Sequence, residues 1–291
     1  MIPAAFDYQS PATLDEALAL LARHGDNAKI LAGGQSLLPM LKLRLAEIGV
    51  LVDIGRVPGL EYIKEEGGSL RIGAGTRESA LERSELIRSK YPILRDTAEV
   101  IADPLVRNRA TVGGNLAHGD PANDHPATML ALGATVVARG PKGERTIPIE
   151  TFFTGIFSTA LAPDEILTEI RIPVPLPKSG GAYRKLERKV GDFATAAAAV
   201  QLTLGGGGEI AQVGIGLTGM GDVAIKAIDA ESYLKGKQAK PVAVTEASRL
   251  AAAATEPTAD RRGTVEYKRE MARVLTERAL RLAIQRAGGT I

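Results

Sequence analysis

Apolar residues recur at two different periods along this chain, and the switches between them mark its elements. Leu14, Ala17, Leu18 and Leu21 follow helical spacing behind Thr13-Leu14-Asp15-Glu16, which fits a capping box, and Gly25 ends that helix. Lys29-Ile30-Leu31-Ala32 reads as a short buried strand and Gly33-Gly34-Gln35-Ser36 as a turn. Residues 37–45 read as a helix tolerating Pro39 in its first turn, and residues 50–54 as a second strand. This predicts a βαβ-like opening. Next come a strand over 70–74, a helix from a Thr76 cap to Leu86, and a helix over 93–101 broken by Asp103-Pro104. Residues 111–119, rich in glycine and polar side chains, predict a loop. Residues 135–139 and 145–149 flank Gly140-Pro141-Lys142-Gly143 as a hairpin, and residues 166–172 alternate as a strand.

Pro173-Val174-Pro175-Leu176-Pro177-Lys178-Ser179-Gly180-Gly181 is the sharpest composition shift, stiff at one end and free at the other, and places a domain boundary there. Beyond it, residues 195–204 are alanine-rich enough for a helix. The tract Gly205-Gly206-Gly207-Gly208 followed by residues 212–217 argues instead for a β-hairpin. Three helical stretches close the chain. The last, over 265–286, sets Met271, Val274, Leu275, Ala279 and Leu282 on one face.

The chain has 291 residues, 45% of them hydrophobic, which suffices for two or three packed domains. Its net charge is +2 and no run of Lys and Arg forms a basic face, so nucleic acid is not expected as a partner. The absence of cysteine removes disulfides, thiolate nucleophiles and cysteine-ligated zinc or iron–sulfur sites. No basic stretch with an apolar core opens the sequence, and no stretch reaches the ~20 apolar residues that span a bilayer. A cytoplasmic location is expected.

Ala32-Gly33-Gly34-Gln35-Ser36 lies between a predicted strand and a predicted helix. A pyrophosphate needs converging backbone N–H groups that a Cβ would obstruct; glycine gives close access and positive φ, and a helix start adds a favourable dipole. Thr111-Val112-Gly113-Gly114-Asn115 repeats the chemistry with a hydroxyl, two glycines and an amide. Neither the G-x-G-x-x-G fingerprint nor a P-loop is present, so two loops of one build would clamp a dinucleotide diphosphate from both sides.

These two segments resemble the paired FAD-pyrophosphate motifs of the medium subunits of molybdenum hydroxylases, the carbon monoxide dehydrogenase and xanthine dehydrogenase flavoprotein family. The likeness extends to Phe6-Asp7-Tyr8, to Gly119-Asp120-Pro121-Ala122-Asn123-Asp124-His125-Pro126 and to Arg188-Lys189-Val190-Gly191-Asp192-Phe193-Ala194. The resemblance implies an α+β fold: a vanillyl-alcohol-oxidase-type (PCMH-like) FAD-binding unit of two α/β subdomains, residues 1–56 and 57–175, then a C-terminal antiparallel sheet and helix domain, residues 176–291. It implies FAD contacts from Ile30, Leu31 and Leu37 beside the first loop. Ile101 would lie against the flavin, Asp124 would bond the ribose or adenine side, Ile166 or Leu167 would pack on the adenine, and Lys185 or Arg184 would approach the flavin. It also implies partners: a small subunit with two [2Fe–2S] clusters and a large molybdopterin subunit, assembled as a dimer of heterotrimers. Electrons would pass through FAD on this chain to an external acceptor.

His118, Asp120, Asp124 and His125 have the residue types of a metal site, but Pro121 and Pro126 constrain the loop and turn or capping roles are expected. Asp192 reads equally as a site acid and as a solvated turn residue; Arg261-Arg262 and Lys268-Arg269 read as solvated surface. No nucleophile motif accompanies the histidines, and no catalytic residue is expected on this chain. A stand-alone flavoenzyme of the same fold and a non-catalytic FAD-binding assembly module are the alternatives.

Overall fold

The structure is a computed structural model that describes residues 2–291. Its first sheet is all parallel: β1 (Asp7–Gln9), β2 (Ala28–Leu31) and β3 (Val50–Asp53) lie in the order β1-β3-β2. Helix α1 (Leu14–His24) begins as the capping box requires. Thr13 accepts from the Glu16 amide at 3.2 Å, and the Glu16 carboxylate reaches back to the Ala12 amide at 2.8 Å. Its apolar face, Ala17, Leu18 and Leu21, closes on Val50 and Val52 to form a first small core. The helix after the first glycine turn, α2 (Leu37–Lys42), is shorter than predicted, because Arg44 enters the left-handed region at φ +56° and turns the chain away.

The second sheet is antiparallel, in the order β4-β5-β10-β6-β7: β4 (Ile63–Glu66), β5 (Ser69–Gly73), β6 (Thr135–Gly140), β7 (Gly143–Pro148) and β10 (Ile166–Pro173). Strands β8 (Phe153–Gly155) and β9 (Ser158–Thr159) form a small hairpin beside it. Between β5 and β6 run six helices: α3 (Glu78–Arg83), α4 (Glu85–Lys90), α5 (Pro92–Glu99), α6 (Pro104–Arg107), α7 (Val112–His118) and α8 (Asp124–Leu132). Three expectations change here. The single helix from Thr76 is two helices, and the Thr76 hydroxyl does not cap it, being bonded to both main-chain groups of Tyr62. The helix over 93–101 ends at Glu99. The glycine-rich segment 111–119 is a helix, not a loop. Thr111 caps α7 by accepting from the Gly114 amide at 3.1 Å, Gly119 ends it at φ +65°, and fully buried Val112 and Leu116 outweigh the poor propensity of two glycines.

Residues 174–178 join the second sheet to the third, and Ser179, Gly180 and Gly181 already belong to a strand. The third sheet runs β11-β12-β13-β14 and is antiparallel: β11 (Ser179–Leu186), β12 (Ala196–Leu204), β13 (Ile210–Thr218) and β14 (Ile225–Lys226). The alanine tract is therefore a strand, as its glycine-rich turn and the following β13 argue. Its residues divide by parity: Ala197 and Ala199 point into the core shared with the second sheet, Ala196, Ala198 and Val200 into the core under the C-terminal helices. A strand covered on both faces carries no polar alternation, so its sequence alone does not separate it from a buried helix. Helix α8 packs on one face, and α9 (Ile228–Leu234), α10 (Pro241–Ala253) and α11 (Val265–Arg286) build the other side.

Helix α11 buries Ala272, Leu275, Thr276, Ala279, Leu280, Ala283 and Ile284, a face rotated from the predicted one. Its small residues meet the alanine strand, while Met271 and Leu282 pack at the flank. Lys268 is buried too, its ammonium donating to the Thr258 carbonyl and pairing with Asp260, and Arg262 pairs with Asp192; neither is free solvated surface. No described helix is long and apolar enough to cross a membrane.

Because β12 is walled on both faces, added volume there has nowhere to go. Ala199→Leu should destabilise the chain by about 1–3 kcal/mol, read as a lower urea midpoint at unchanged slope. An unchanged midpoint would show that the two layers are looser than described.

Candidate cofactor site

The first glycine turn crosses from β2 to α2. Residues 30 to 37 are all half-exposed, so the turn is open to solvent. Gly34 sits at φ +74°, where a side chain would be strained. The amides of Gly33, Gly34, Gln35 and Ser36 donate to no acceptor among the described residues, whereas the carbonyls of Gly34 and Ser36 accept from Leu38 and Met40 as α2 begins. A row of bare donors on an open turn is what an anion needs and what a structural turn normally avoids.

Gly33 is pressed against the other motif. A Cβ there would collide with the Arg109 carbonyl oxygen and stand 2.8 Å from Ala110 Cα, so the first turn and the entry to the second lie in direct backbone contact. The same Arg109 carbonyl accepts a hydrogen bond from the half-buried Arg77 guanidinium, and Arg77 and Thr111 form an isolated β-bridge. Burial, and then the positive charge of Arg109, depress the Arg77 pKa below its usual range, so an anion held near these two cations would relieve the strain.

The second motif is built differently from the first. The Val112 amide donates to the Thr76 carbonyl and that of Gly113 to Ala74, both at 3.0 Å; the Asn115 amide donates to Thr111 at 2.9 Å, and Gly114 is engaged by the Thr111 cap. Gly113 is required by packing, since a Cβ would stand 2.7 Å from the Ala74 carbonyl oxygen. Thr111, Val112 and Gly113 are buried; Gly114 is exposed and Asn115 half-exposed. What this motif has left to offer a ligand is the Thr111 hydroxyl proton and the Asn115 side chain, whose Oδ1 is buried without a partner. That oxygen is an acceptor and calls for a donor, so toward an anion the motif can turn only the Thr111 hydroxyl proton and the Asn115 side-chain NH2.

A second cluster lies where the third sheet meets the helices of the second. Strand alternation sends Arg184 to solvent and Lys185 inward. The Lys185 ammonium, on a side chain only 2% exposed, donates to the Val100 carbonyl and to Asp124 Oδ2, each at 3.0 Å. The Tyr183 hydroxyl donates to Asp124 Oδ1 at 2.5 Å. Burial pushes the Asp124 carboxyl above the usual carboxylate range, while Lys185 and Tyr183 pull it back. Both carboxylate oxygens are thus engaged within the chain, and Asp124 anchors Lys185. Ile101 borders this cluster. Ile166 packs in the first core and Leu167 in the second, at 2% and 5% exposure.

Sequence reasoning missed several participants. Tyr183 stands two residues before Lys185 on one strand and so shares its face, a period-two signal that was available. Arg77 and the fully buried pair of Glu78 with His125, 2.8 Å apart behind the second turn, meet only through the fold. Of the remaining metal-type residues, His118 stacks at 5.1 Å on Phe157. Asp192 binds Arg188 and Arg262 at 3.0 and 2.9 Å, so it is an ion-pair hub, neither solvated nor free to act as an acid.

Comparison with known proteins agrees with this geometry. Residues 4–175 match the family model described as FAD binding domain in molybdopterin dehydrogenase, and residues 181–283 match the CO dehydrogenase flavoprotein C-terminal domain. The chain is 45% identical over 283 residues to the carbon monoxide dehydrogenase medium chain of Hydrogenophaga pseudoflava, covering 97% of this chain and 98% of that one. It is 38% identical over 290 residues to the 6-hydroxypseudooxynicotine dehydrogenase complex subunit alpha of Paenarthrobacter nicotinovorans, covering 100% and 98%. A solved structure of the Hydrogenophaga pseudoflava carbon monoxide dehydrogenase, in a form lacking the Mo-pyranopterin moiety of its cofactor, superposes with TM-score 0.96 at 46% identity over 98% of this chain and 99% of that chain. With bare donors on an open turn and family matches across both halves, the chain belongs to the FAD-binding medium subunits of molybdenum hydroxylases, the CO dehydrogenase flavoprotein family of oxidoreductase subunits.

Proposed function

We propose that this chain receives electrons from the [2Fe–2S] clusters of a small partner subunit and delivers them to an external acceptor. The assembly is a cytoplasmic dimer of heterotrimers whose large subunit carries the molybdopterin. The observation that carries the reading is the row of unpaired amides from Gly33 to Ser36, backed by the Arg109 carbonyl. FAD, when bound, supplies the redox chemistry, since a flavin exchanges electrons in pairs or singly and so suits a junction between one-electron clusters and a final acceptor.

This chain's own residues bind and insulate. The bare amides take the diphosphate from one side, and Thr111 with Asn115 meets it from the other. Ile30, Leu31 and Leu37 cover the approach to the first turn. Ile101 and Lys185 wall the ring end, with Lys185 held in place by Asp124. The working parts are residues 1–56, 57–175 and 176–291, with the cofactor between them. Relatives of similar extent carry names that span carbon monoxide and 6-hydroxypseudooxynicotine. Substrate choice therefore belongs to the molybdenum-bearing partner, and this chain does the same work for each.

The purified chain, alone and with its co-expressed partners, should carry the visible absorbance of oxidised flavin, and acid should release FAD at one per chain. A colourless protein in both preparations overturns the reading; flavin retained only with partners supports the assembly. Gly33→Ala, which drives a methyl into the Arg109 carbonyl, should weaken FAD at least about 100-fold, on the order of 3 kcal/mol. Unchanged FAD affinity in that variant would move the diphosphate elsewhere.

The buried carboxyl gives a pH signature. Asp124 keeps its proton to higher pH when folded than when unfolded, so the folded chain binds more protons over that interval. Stability then declines as pH rises from the ordinary carboxylate value through the raised one, with a slope of at most about 1.4 kcal/mol per pH unit. Asp124→Asn removes that decline. Melting temperatures from about pH 4 to about pH 8 should therefore fall relative to the variant as pH rises. Parallel curves would show that Asp124 titrates as in the unfolded chain.

A further inference from the structure

The turn between α5 and α6, residues 100–103, is held in an unusual way. Ala102 lies at φ +47°, one of four non-glycine residues in the left-handed region among those described, and the one next to a proposed flavin contact, Ile101. Alanine has no polar side chain to stabilise that conformation and a Cβ that disfavours it. Three successive carbonyls of the turn nevertheless all face cations. Val100 accepts from Lys185 at 3.0 Å, while Ile101 and Ala102 accept from one nitrogen, Nη1 of Arg107, at 3.1 and 3.2 Å. The Arg107 side chain is only 11% exposed, and its Nε donates to Glu82 at 2.9 Å, so the guanidinium is itself fixed. From the other domain Gly191 closes on the turn: a Cβ there would stand 2.7 Å from both the carbonyl carbon and oxygen of Ala102.

A trans peptide points its C=O and the following N–H in opposite directions. With the carbonyls of Ile101 and Ala102 turned onto Arg107, the amides of Ala102 and Asp103 must point away from it, and they donate to no acceptor among the described residues. We propose that Arg107 is a positioning residue: it locks the turn at Ala102 so that Ile101 and the bare amides of Ala102 and Asp103 are presented to the flavin ring. The proposal rests on the FAD reading given above. Reorienting either peptide would strip a carbonyl from a buried guanidinium, and that desolvation penalty resists the flip even though alanine prefers another conformation. A donor fixed toward the ring favours the negative charge gained on reduction, so the clamp raises the flavin's midpoint potential. Lys185 reaches one carbonyl of the turn from the third sheet and Gly191 packs on another. Seating of the C-terminal domain and geometry at the ring are thereby one event.

Arg107→Lys in the full chain, or in the complex it purifies with, is the test. It keeps a buried positive charge, but one ammonium on a shorter reach cannot hold Glu82 and both carbonyls together. FAD content should stay at one per chain, because the diphosphate turn is untouched. The visible circular dichroism of the bound flavin should change and its midpoint potential should become more negative. Adding Ala102→Gly should return both toward wild type, since glycine adopts the left-handed turn without the clamp. In the flavin-free chain, hydrogen exchange of the segment 99–110 should quicken several-fold in Arg107→Lys. Should that variant not fold, Glu82→Gln, which loosens the anchor of Arg107, should give a smaller shift of the same sign. Wild-type exchange, dichroism and potential in a folded variant overturn the proposal. A wild-type chain that never takes up FAD refutes the flavin reading instead, and the exchange rates of the flavin-free chain then decide whether Arg107 positions the turn.

Discussion

The chain can offer bare backbone to a diphosphate only because two turns from different sheets touch through their main chains. At Gly33 the absent Cβ is replaced by the Arg109 carbonyl and the Ala110 backbone. Any side chain there would push the first turn off the second motif. The contact also fixes charge. Arg77 is drawn to the same carbonyl, where burial and the Arg109 charge lower its pKa and the Glu61 and Asp53 carboxylates oppose them. Nothing else in the site needs so many independent elements to agree.

The two glycine pairs share letters but not tasks. The first is half-exposed, at positive φ in Gly34 and unpaired in its amides. The second is mostly buried, and its amides are consumed by Ala74, Thr76 and Thr111. It works as a frame: β5, the bridge from Arg77 to Thr111 and the buried pair of Glu78 with His125 hold the segment against which the first turn rests. A loop that both bound the ligand and carried the frame would have to leave its own donors bare and structurally idle. Splitting the work lets one turn be reactive because the other is satisfied.

How much of this was legible depended on whether the signal was local. The helix at Thr13 and the hairpin at Gly140 follow from short-range chemistry and appear as expected. The segment after Thr111 reads as a loop in sequence because glycine lowers helix propensity, whereas fully buried Val112 and Leu116 decide it, and burial is a property of the partner surface. The donor turn was visible in its residues. The satisfied state of its counterpart was not, since Ala74 and Thr76 lie more than a helix away in sequence. The likeness of Thr111-Val112-Gly113-Gly114-Asn115 to a known motif names a segment without saying which groups there remain free. Ile166 and Leu167, adjacent on one strand, are divided by its alternation between the first and second cores, which no local signal announces.

The alanine strand links stability to the site. Its small side chains let α8 lie close on the third sheet, and the loop leading into α8 is tied to the end of β13, where the Thr218 hydroxyl donates to the Pro121 and Asn123 carbonyls at 2.8 and 2.6 Å. That docking sets the first residue of α8, Asp124, directly opposite Tyr183 and Lys185 on β11. Lys185 then reaches Val100, the residue before the turn that walls the ring. Larger residues in β12 would lift α8 and pull Asp124 from its partners. Lys185 would then keep only the Val100 carbonyl and the Glu187 carboxylate, 3.4 Å away, to offset a desolvated charge. Residues that read as featureless packing thus set the position of the cation nearest the proposed flavin, and the C-terminal sheet contributes to the site through distance alone, by being thin.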